Sequence, residues 1–161
     1  MAIQGLGQKG IYFAHDEKQV AGESSTTQRQ PSQRSLIDLK AALNSEKYWI
    51  RQKAADDLGE MGKEAAPLVP DLISLLSIND NIYNSFVATL TRLGIEAPDI
   101  VIPELVKALN SNRDFTIRSA AAITLGRIGV DAKAAVPALT KALSDHDEFV
   151  REKAALALRK I

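Results

Sequence analysis

Apolar positions from Ser35 onward recur at helical spacing, and they alternate between two patterns. Leu39/Leu43, Leu72/Leu76, Leu105/Leu109 and Leu139/Leu143 are i, i+4 leucine pairs, which puts each pair on one face of a helix. A second pattern follows the first. It runs Ile50-Arg51-x-x-Ala54-Ala55-x-x-Leu58-Gly59-x-Met61-Gly62 and returns as Ile117-Arg118-x-x-Ala121-Ala122-x-x-Leu125-Gly126-x-Ile128-Gly129. A further copy opens as Val150-Arg151-x-x-Ala154-Ala155-x-x-Leu158. A phrase that returns about every 33 residues is the mark of stacked helical hairpins. The pattern therefore predicts pairs of helices, the first carrying the leucines and the second carrying the Arg-x-x-Ala-Ala phrase.

Polar punctuation supports that division. Pro70, Pro103 and Pro137 precede or open three of the leucine helices, and proline is tolerated in a first turn because its missing N–H has no helical partner there. Asn44-Ser45, Asn79-Asp80-Asn81, Asn110-Ser111-Asn112 and Ser144-Asp145-His146-Asp147 are turns whose side chains can cap the second helices. Gly59, Gly94 and Gly126 sit late in those helices, as sites of close packing or of helix termination. The alanine pairs allow neighbouring hairpins to nest. Four units are expected, over residues 35–66, 67–100, 101–135 and 136–161, because a lone hairpin cannot bury its apolar face.

The second unit departs from the phrase. Phe86 stands in the arginine position and Thr89-Leu90 replaces the alanine pair. Its inter-helix segment, Ser77-Ile78-Asn79-Asp80-Asn81-Ile82, is longer, which predicts looser stacking there. In the fourth unit Arg159 takes the late-glycine position. With Glu152, Lys153 and Lys160 it is expected to make the last helix a capping surface, one end of a longer array or a face for self-stacking. Residues 1–34 have no hydrophobic period and are expected to be a mobile N-terminal tail. Ile11-Tyr12-Phe13 is its apolar cluster.

The repeated phrase resembles the HEAT-like repeats first associated with phycobilisome lyases, over residues 35–161. That resemblance implies an all-α, right-handed solenoid. It also implies a structural ladder between neighbouring units, built from Arg51, Arg118 and Arg151 with Asp114 and Asp147. As an alternative function it suggests a phycobilin lyase-like protein or a chaperone of a bilin or phycobiliprotein.

Composition narrows the chemistry. Lys+Arg and Asp+Glu are 20 each, so no basic excess serves a nucleic acid or an anionic membrane. No cysteine is present, which removes thiolate chemistry. No apolar run approaches the ~20 residues of a membrane span, and a cytoplasmic protein is expected. Gly5-Leu6-Gly7-Gln8-Lys9-Gly10 matches G-x-G-x-x-G, but no strand precedes it and no helix start follows, so no nucleotide site is expected. His15-Asp16-Glu17 and His146-Asp147-Glu148 make no H-E-x-x-H pair. No catalytic residue, metal or cofactor is expected.

The function expected on these grounds is a non-catalytic scaffold or adaptor that holds another protein along the second helices. Trp49, Tyr83 and Phe86 are the expected aromatic anchors. Gln52, Lys53, Asp56, Glu60 and Arg127 are the expected polar contacts.

Overall fold

The structure is a computed structural model and describes residues 35–77, 82–111 and 114–161. Expectations for the N-terminal tail and for Asn79-Asp80-Asn81 lie outside these residues. The described residues hold eight α-helices: α1 (Leu36–Leu43), α2 (Tyr48–Met61), α3 (Val69–Ser74), α4 (Tyr83–Glu96), α5 (Pro98–Ser111), α6 (Phe115–Ile128), α7 (Val136–Ala142) and α8 (Glu148–Leu158). They form two layers. The second helices α2, α4, α6 and α8 pack in sequence, each on the next, while α1, α3, α5 and α7 make the other layer.

The core lies between the layers. Leu39, Leu43, Leu72, Leu76, Leu105, Leu109 and Leu139 are all buried, as the i, i+4 pairing requires. Leu143 is not: it is the C-cap of α7 and is exposed. Of the alanine pairs, Ala54, Ala55, Ala121, Ala122 and Ala154 are fully buried. Ala155 is exposed. It lies on α8, the last helix of the described residues.

Side-chain caps open three helices, and one of them, Asp147, lies in a turn expected to supply it. Ser35 Oγ accepts from Asp38 N at 3.2 Å, Asp114 Oδ1 from Thr116 N at 2.8 Å, and Asp147 Oδ1 from Phe149 N at 2.9 Å. Each satisfies an N–H that the first turn leaves without a helical acceptor. At α2 the expectation fails. Its N-cap position is Lys47, whose side chain makes no cap, and Asn44 instead closes α1 by donating from Nδ2 to Lys40 O at 2.8 Å.

One other expectation is corrected. Pro103 lies inside α5, because that helix begins earlier, at Pro98. Of the two roles expected for the late glycines, close packing holds and helix termination falls elsewhere. α2 and α6 stop instead at Gly62 (φ 59°, ψ −133°) and Gly129 (φ 73°, ψ −135°), a backbone region essentially restricted to glycine. Both are followed by a matching 3-10 segment, Gly62–Leu68 and Gly129–Ala135, that carries the chain to the next unit.

Gly59, Gly94 and Gly126 are instead contact points between units. A Cβ on Gly126 would sit 2.8 Å from Ala157 Cα, and one on Gly59 would sit 3.6 Å from Thr89 Cγ2. Gly94 faces the Ile128 side chain. The departures in the second unit have local solutions. Phe86 is fully buried, and Thr89 Oγ1 donates to Ala55 O across the unit boundary at 3.2 Å. The first helix of that unit is short and loosens into a 3-10 turn at Leu75–Ser77, which agrees with the predicted irregularity.

Candidate functional site

The exposed side chains of the second helices fall in columns, because each unit repeats the same helical register. One residue after the late-glycine position stand Glu60, Ile95, Arg127 and Lys160. Three residues before it stand Asp56, Thr91, Ile123 and Leu156. These columns line three successive grooves. The first, about 430 Å³, lies between α2 and α4 and is edged by Lys53, Asp56, Glu60 and Arg92. The second, about 350 Å³, lies between α4 and α6 over Ala88, Thr91 and Ile95, with Arg92, Glu96 and Arg127 around it. The third, about 250 Å³, lies between α6 and α8. Ala122, Ile123, Leu156 and Ala157 make its floor, and Arg127, Lys153 and Lys160 its rim.

The charge on the ridge changes sign from one end to the other. At α2, Lys53 Nζ is committed to the buried carboxylate of Asp57 at 2.6 Å. Exposed Glu60 remains there beside Asp56, which accepts from Ser85 Oγ at 3.3 Å. In the middle, Arg92 and Glu96 neutralise each other at 3.2 Å. At the α6–α8 end the rim is basic. Lys153 pairs with Glu152 at 2.9 Å and lies 4.3 Å from the Phe149 ring centre.

The expected site residues divide accordingly. Lys53, Asp56 and Glu60 share the first groove, and Arg127 borders the other two. Gln52 is exposed on α2. Trp49 is 55% exposed at the start of α2. Its ring meets Tyr48 edge-on at 5.4 Å, and Lys47 Nζ lies 5.7 Å from its centre; it borders none of the three grooves. Tyr83 is half-buried. Burial pushes its phenol above the usual tyrosine pKa, with the charge of Arg127 acting in the opposite sense. Phe86 is a correction: at 0% exposure it has no surface to present. It fills the core where the other units carry arginine, and it cannot anchor a partner.

Arg92, Ile95, Ile123 and Leu156 were missed by sequence reasoning, and Lys153 and Lys160 were read only as part of the outer face of the last helix. The signal was available, since carrying Asp56 and Glu60 forward by the repeat lands on Thr91/Ile95, Ile123/Arg127 and Leu156/Lys160.

Of the expected arginine ladder, one rung joins neighbouring units, and its acid is Asp145. Arg118 Nε and Nη2 donate to the two carboxylate oxygens of Asp145 at 2.8 Å each, joining the third unit to the turn of the fourth. The hydrogen bonds from Arg118 hold the Asp145 carboxyl below the usual range, against the opposing effect of burial, helped by the Asp147 N–H. Arg51 and Arg151 brace the turns of their own hairpins. Arg51 Nη1 donates to Ser45 O at 2.7 Å, and Arg151 Nη1 to Asp145 O at 2.8 Å. Asp114 and Asp147 serve as N-caps.

Among the described residues no helix is long and apolar enough to cross a membrane. No group of three His, Asp or Glu side chains there is placed to hold a metal ion.

Residues 102–161 match the family of HEAT repeats. No curated protein matches the chain. Among solved structures, the complex of CpcE and CpcF of phycocyanin lyase from Nostoc sp. PCC7120 is similar in fold. Its TM-score is 0.55 and its identity 21%, over 78% of this chain and 76% of that one. The crystal structure of an engineered protein is 24% identical over 79% of this chain, with a TM-score of 0.43. This chain spans 62% of the length of that protein. The described residues form an all-α solenoid of stacked helical hairpins, of which residues 102–161 match HEAT repeats.

Proposed function

We propose that this chain is a non-catalytic scaffold that holds a protein partner along the ridge of its second helices. The observation that carries this reading is the alignment of three grooves on the same repeat columns, the first two sharing Ala88 and Arg92 at their border and the last two sharing Arg127. Such a track suits an extended macromolecular segment better than a small molecule, since small-molecule sites enclose most of their ligand's surface. Trp49, Gln52, Lys53, Asp56, Glu60, Tyr83 and Arg127 are the contacts proposed for it. The module that does this work is proposed to be residues 35–161, in the four units expected from the sequence, behind the N-terminal tail. Self-stacking through α8 is a further proposal, supported by its uncovered Ala155. A cytoplasmic location is proposed with it.

Affinity purification from the source cell tests the reading with the intact chain and with Asp56→Lys/Glu60→Lys and Arg127→Glu/Lys160→Glu variants. Loss of a captured protein in at least one variant with unchanged circular dichroism is expected. Equal capture by all three forms removes the ridge as the site.

The likeness to the CpcE–CpcF structure favours a second reading, a bilin-handling protein of the phycobilin lyase kind. Mixing the purified chain with phycocyanobilin tests it, and an unchanged visible spectrum argues against it.

A further inference from the structure

The groove between α6 and α8 differs from the other two in combining an apolar floor with a rim of one sign. Its floor side chains, Ala122, Ile123, Leu156 and Ala157, offer no hydrogen-bonding group. Of the rim cations, Lys153 has Glu152 at 2.9 Å. Arg127 and Lys160 have no carboxylate within ion-pair distance among the described residues. No acid lines this groove, and Glu152 beside it and Glu96 in the neighbouring groove are engaged with Lys153 and Arg92. At the opposite end of the ridge Asp56 and Glu60 give the reverse sign.

We propose that this ridge binds an extended peptide segment of a partner protein, with a large aliphatic side chain seated over Ile123 and Leu156, acidic residues beside Arg127 and Lys160, and a basic residue reaching Asp56 and Glu60. The proposal rests on the scaffold reading above and names the partner chemistry for it. Charge complementarity selects this occupant: an acidic residue beside the rim finds two cations without an acid, whereas a basic one would be repelled. Spacing selects the extended form. Packed helices stand about 8–10 Å apart, and every third residue of an extended chain of the polyproline II type advances about 9 Å and returns to the same face. Successive grooves therefore receive residues i, i+3 and i+6 of one such segment.

The test uses the full chain and a fluorescein-labelled peptide, Lys-Gly-Ser-Leu-Gly-Ser-Leu-Asp-Glu, followed by fluorescence anisotropy. Saturable binding is expected, weakening as salt rises from 50 to 500 mM, on the order expected for exposed charges. Replacing the peptide's Asp-Glu by Lys-Lys, or using the Arg127→Glu/Lys160→Glu variant, is expected to weaken binding by about tenfold or more. A Lys63→Glu/Lys133→Glu control, changed away from the ridge, is expected to bind as the parent does. Circular dichroism confirms that the variants are folded.

Four results overturn the proposal. One is absence of saturable binding up to about 1 mM peptide, a level at which even weak recognition registers. Another is equal binding of the Lys-Lys peptide or of the Arg127/Lys160 variant. A third is a gain in peptide affinity on Asp16→Lys/Glu17→Lys, which identifies the chain's own Ile11-Tyr12-Phe13-Ala14-His15-Asp16-Glu17 segment as the occupant. The last is a concentration-dependent dimer abolished by Arg127→Glu, which identifies a second copy. The scaffold reading survives separately if a cellular partner is still captured and is lost only on Asp56→Lys/Glu60→Lys.

Discussion

Two glycines at equivalent positions are expected to respond to the same substitution with opposite signs. Gly59 and Gly126 both lie late in second helices and both face the next unit. Alanine at either position gains helix propensity, about 1 kcal/mol in a helix interior and somewhat less near the end. The new Cβ then decides the outcome. At Gly59 it meets Thr89 Cγ2 at 3.6 Å and Arg92 Cδ at 3.8 Å, which is ordinary contact. The propensity gain survives, and Gly59→Ala is expected to stabilise the chain by about 0.5–1 kcal/mol.

At Gly126 the Cβ meets Ala157 Cα at 2.8 Å and Ala157 Cβ at 3.0 Å. Neither atom can rotate away, because one is backbone and the other is fixed to it. Relief requires α6 and α8 to separate, which loosens the contacts of Ala121, Ala122 and Leu125 with α8. Overpacking of this kind costs about 1–3 kcal/mol. Net of propensity, Gly126→Ala is expected to destabilise by about 1–2 kcal/mol. Equilibrium urea denaturation of the three full-length proteins, followed by far-ultraviolet circular dichroism, reads both values. A Gly126→Ala protein as stable as Gly59→Ala would refute the claim that this glycine sets the spacing of the last two units.

Removing the acid of the inter-unit rung should be costly. Asp145→Asn leaves Arg118, 4% exposed, without its bidentate acceptor, and about 3 kcal/mol of stability is expected to go. Because the folded Asp145 pKa is lowered, its contribution is present above the unfolded value of about 3.9 and is lost as pH falls through the lower folded one. The stability gap between parent and variant should therefore narrow below about pH 4, and a gap independent of pH would contradict the rung. Phe86→Ala is expected to lose about 3–5 kcal/mol, as a fully buried aromatic does; a denaturation midpoint near that of the parent would remove Phe86 from the core. Trp49 is the chain's sole tryptophan and is exposed, so Trp49→Ala is expected to change stability by less than about 0.5 kcal/mol. Its emission should shift to shorter wavelength when a partner covers α2, and emission unchanged by a bound partner would place Trp49 outside the interface.

The two-layer architecture was legible because its causes are local and repeated. A leucine pair four residues apart and an Arg-x-x-Ala-Ala phrase each demand one helical face, and four copies of the pair with three of the phrase leave little freedom in how those faces meet. What escaped the sequence depended on choices between neighbours of equal chemistry. Ser144-Asp145-His146-Asp147 offers two acids for one arginine. Asp147 is consumed by the first-turn N–H groups of α8, so the rung falls to Asp145, and only the helix start decides that. Pro98 and Pro103 both suit a first turn, and the position of Ala97 after α4 awards it to Pro98. Phe86 looked like an anchor because it is an aromatic near the start of a second helix, as Trp49 and Tyr83 are. The repeat does not keep one chemistry at one place, and a buried position can exchange arginine for phenylalanine when the adjoining turn changes.

The ridge was hidden for a related reason. Its columns are defined by position within the unit, whereas their chemistry drifts from unit to unit. Glu60, Ile95, Arg127 and Lys160 share a place but no property, so a search for residues of one type passes over them. A fold that needed only a solvated face would tolerate charges of either sign in any order along this column. The ordered passage from acid through isoleucine to two bases is more than solvation requires, and it falls on the side chains that edge the grooves. The repeat supplies the spacing and the drift supplies a direction, and a surface with both can fix the register and orientation of a chain laid across it.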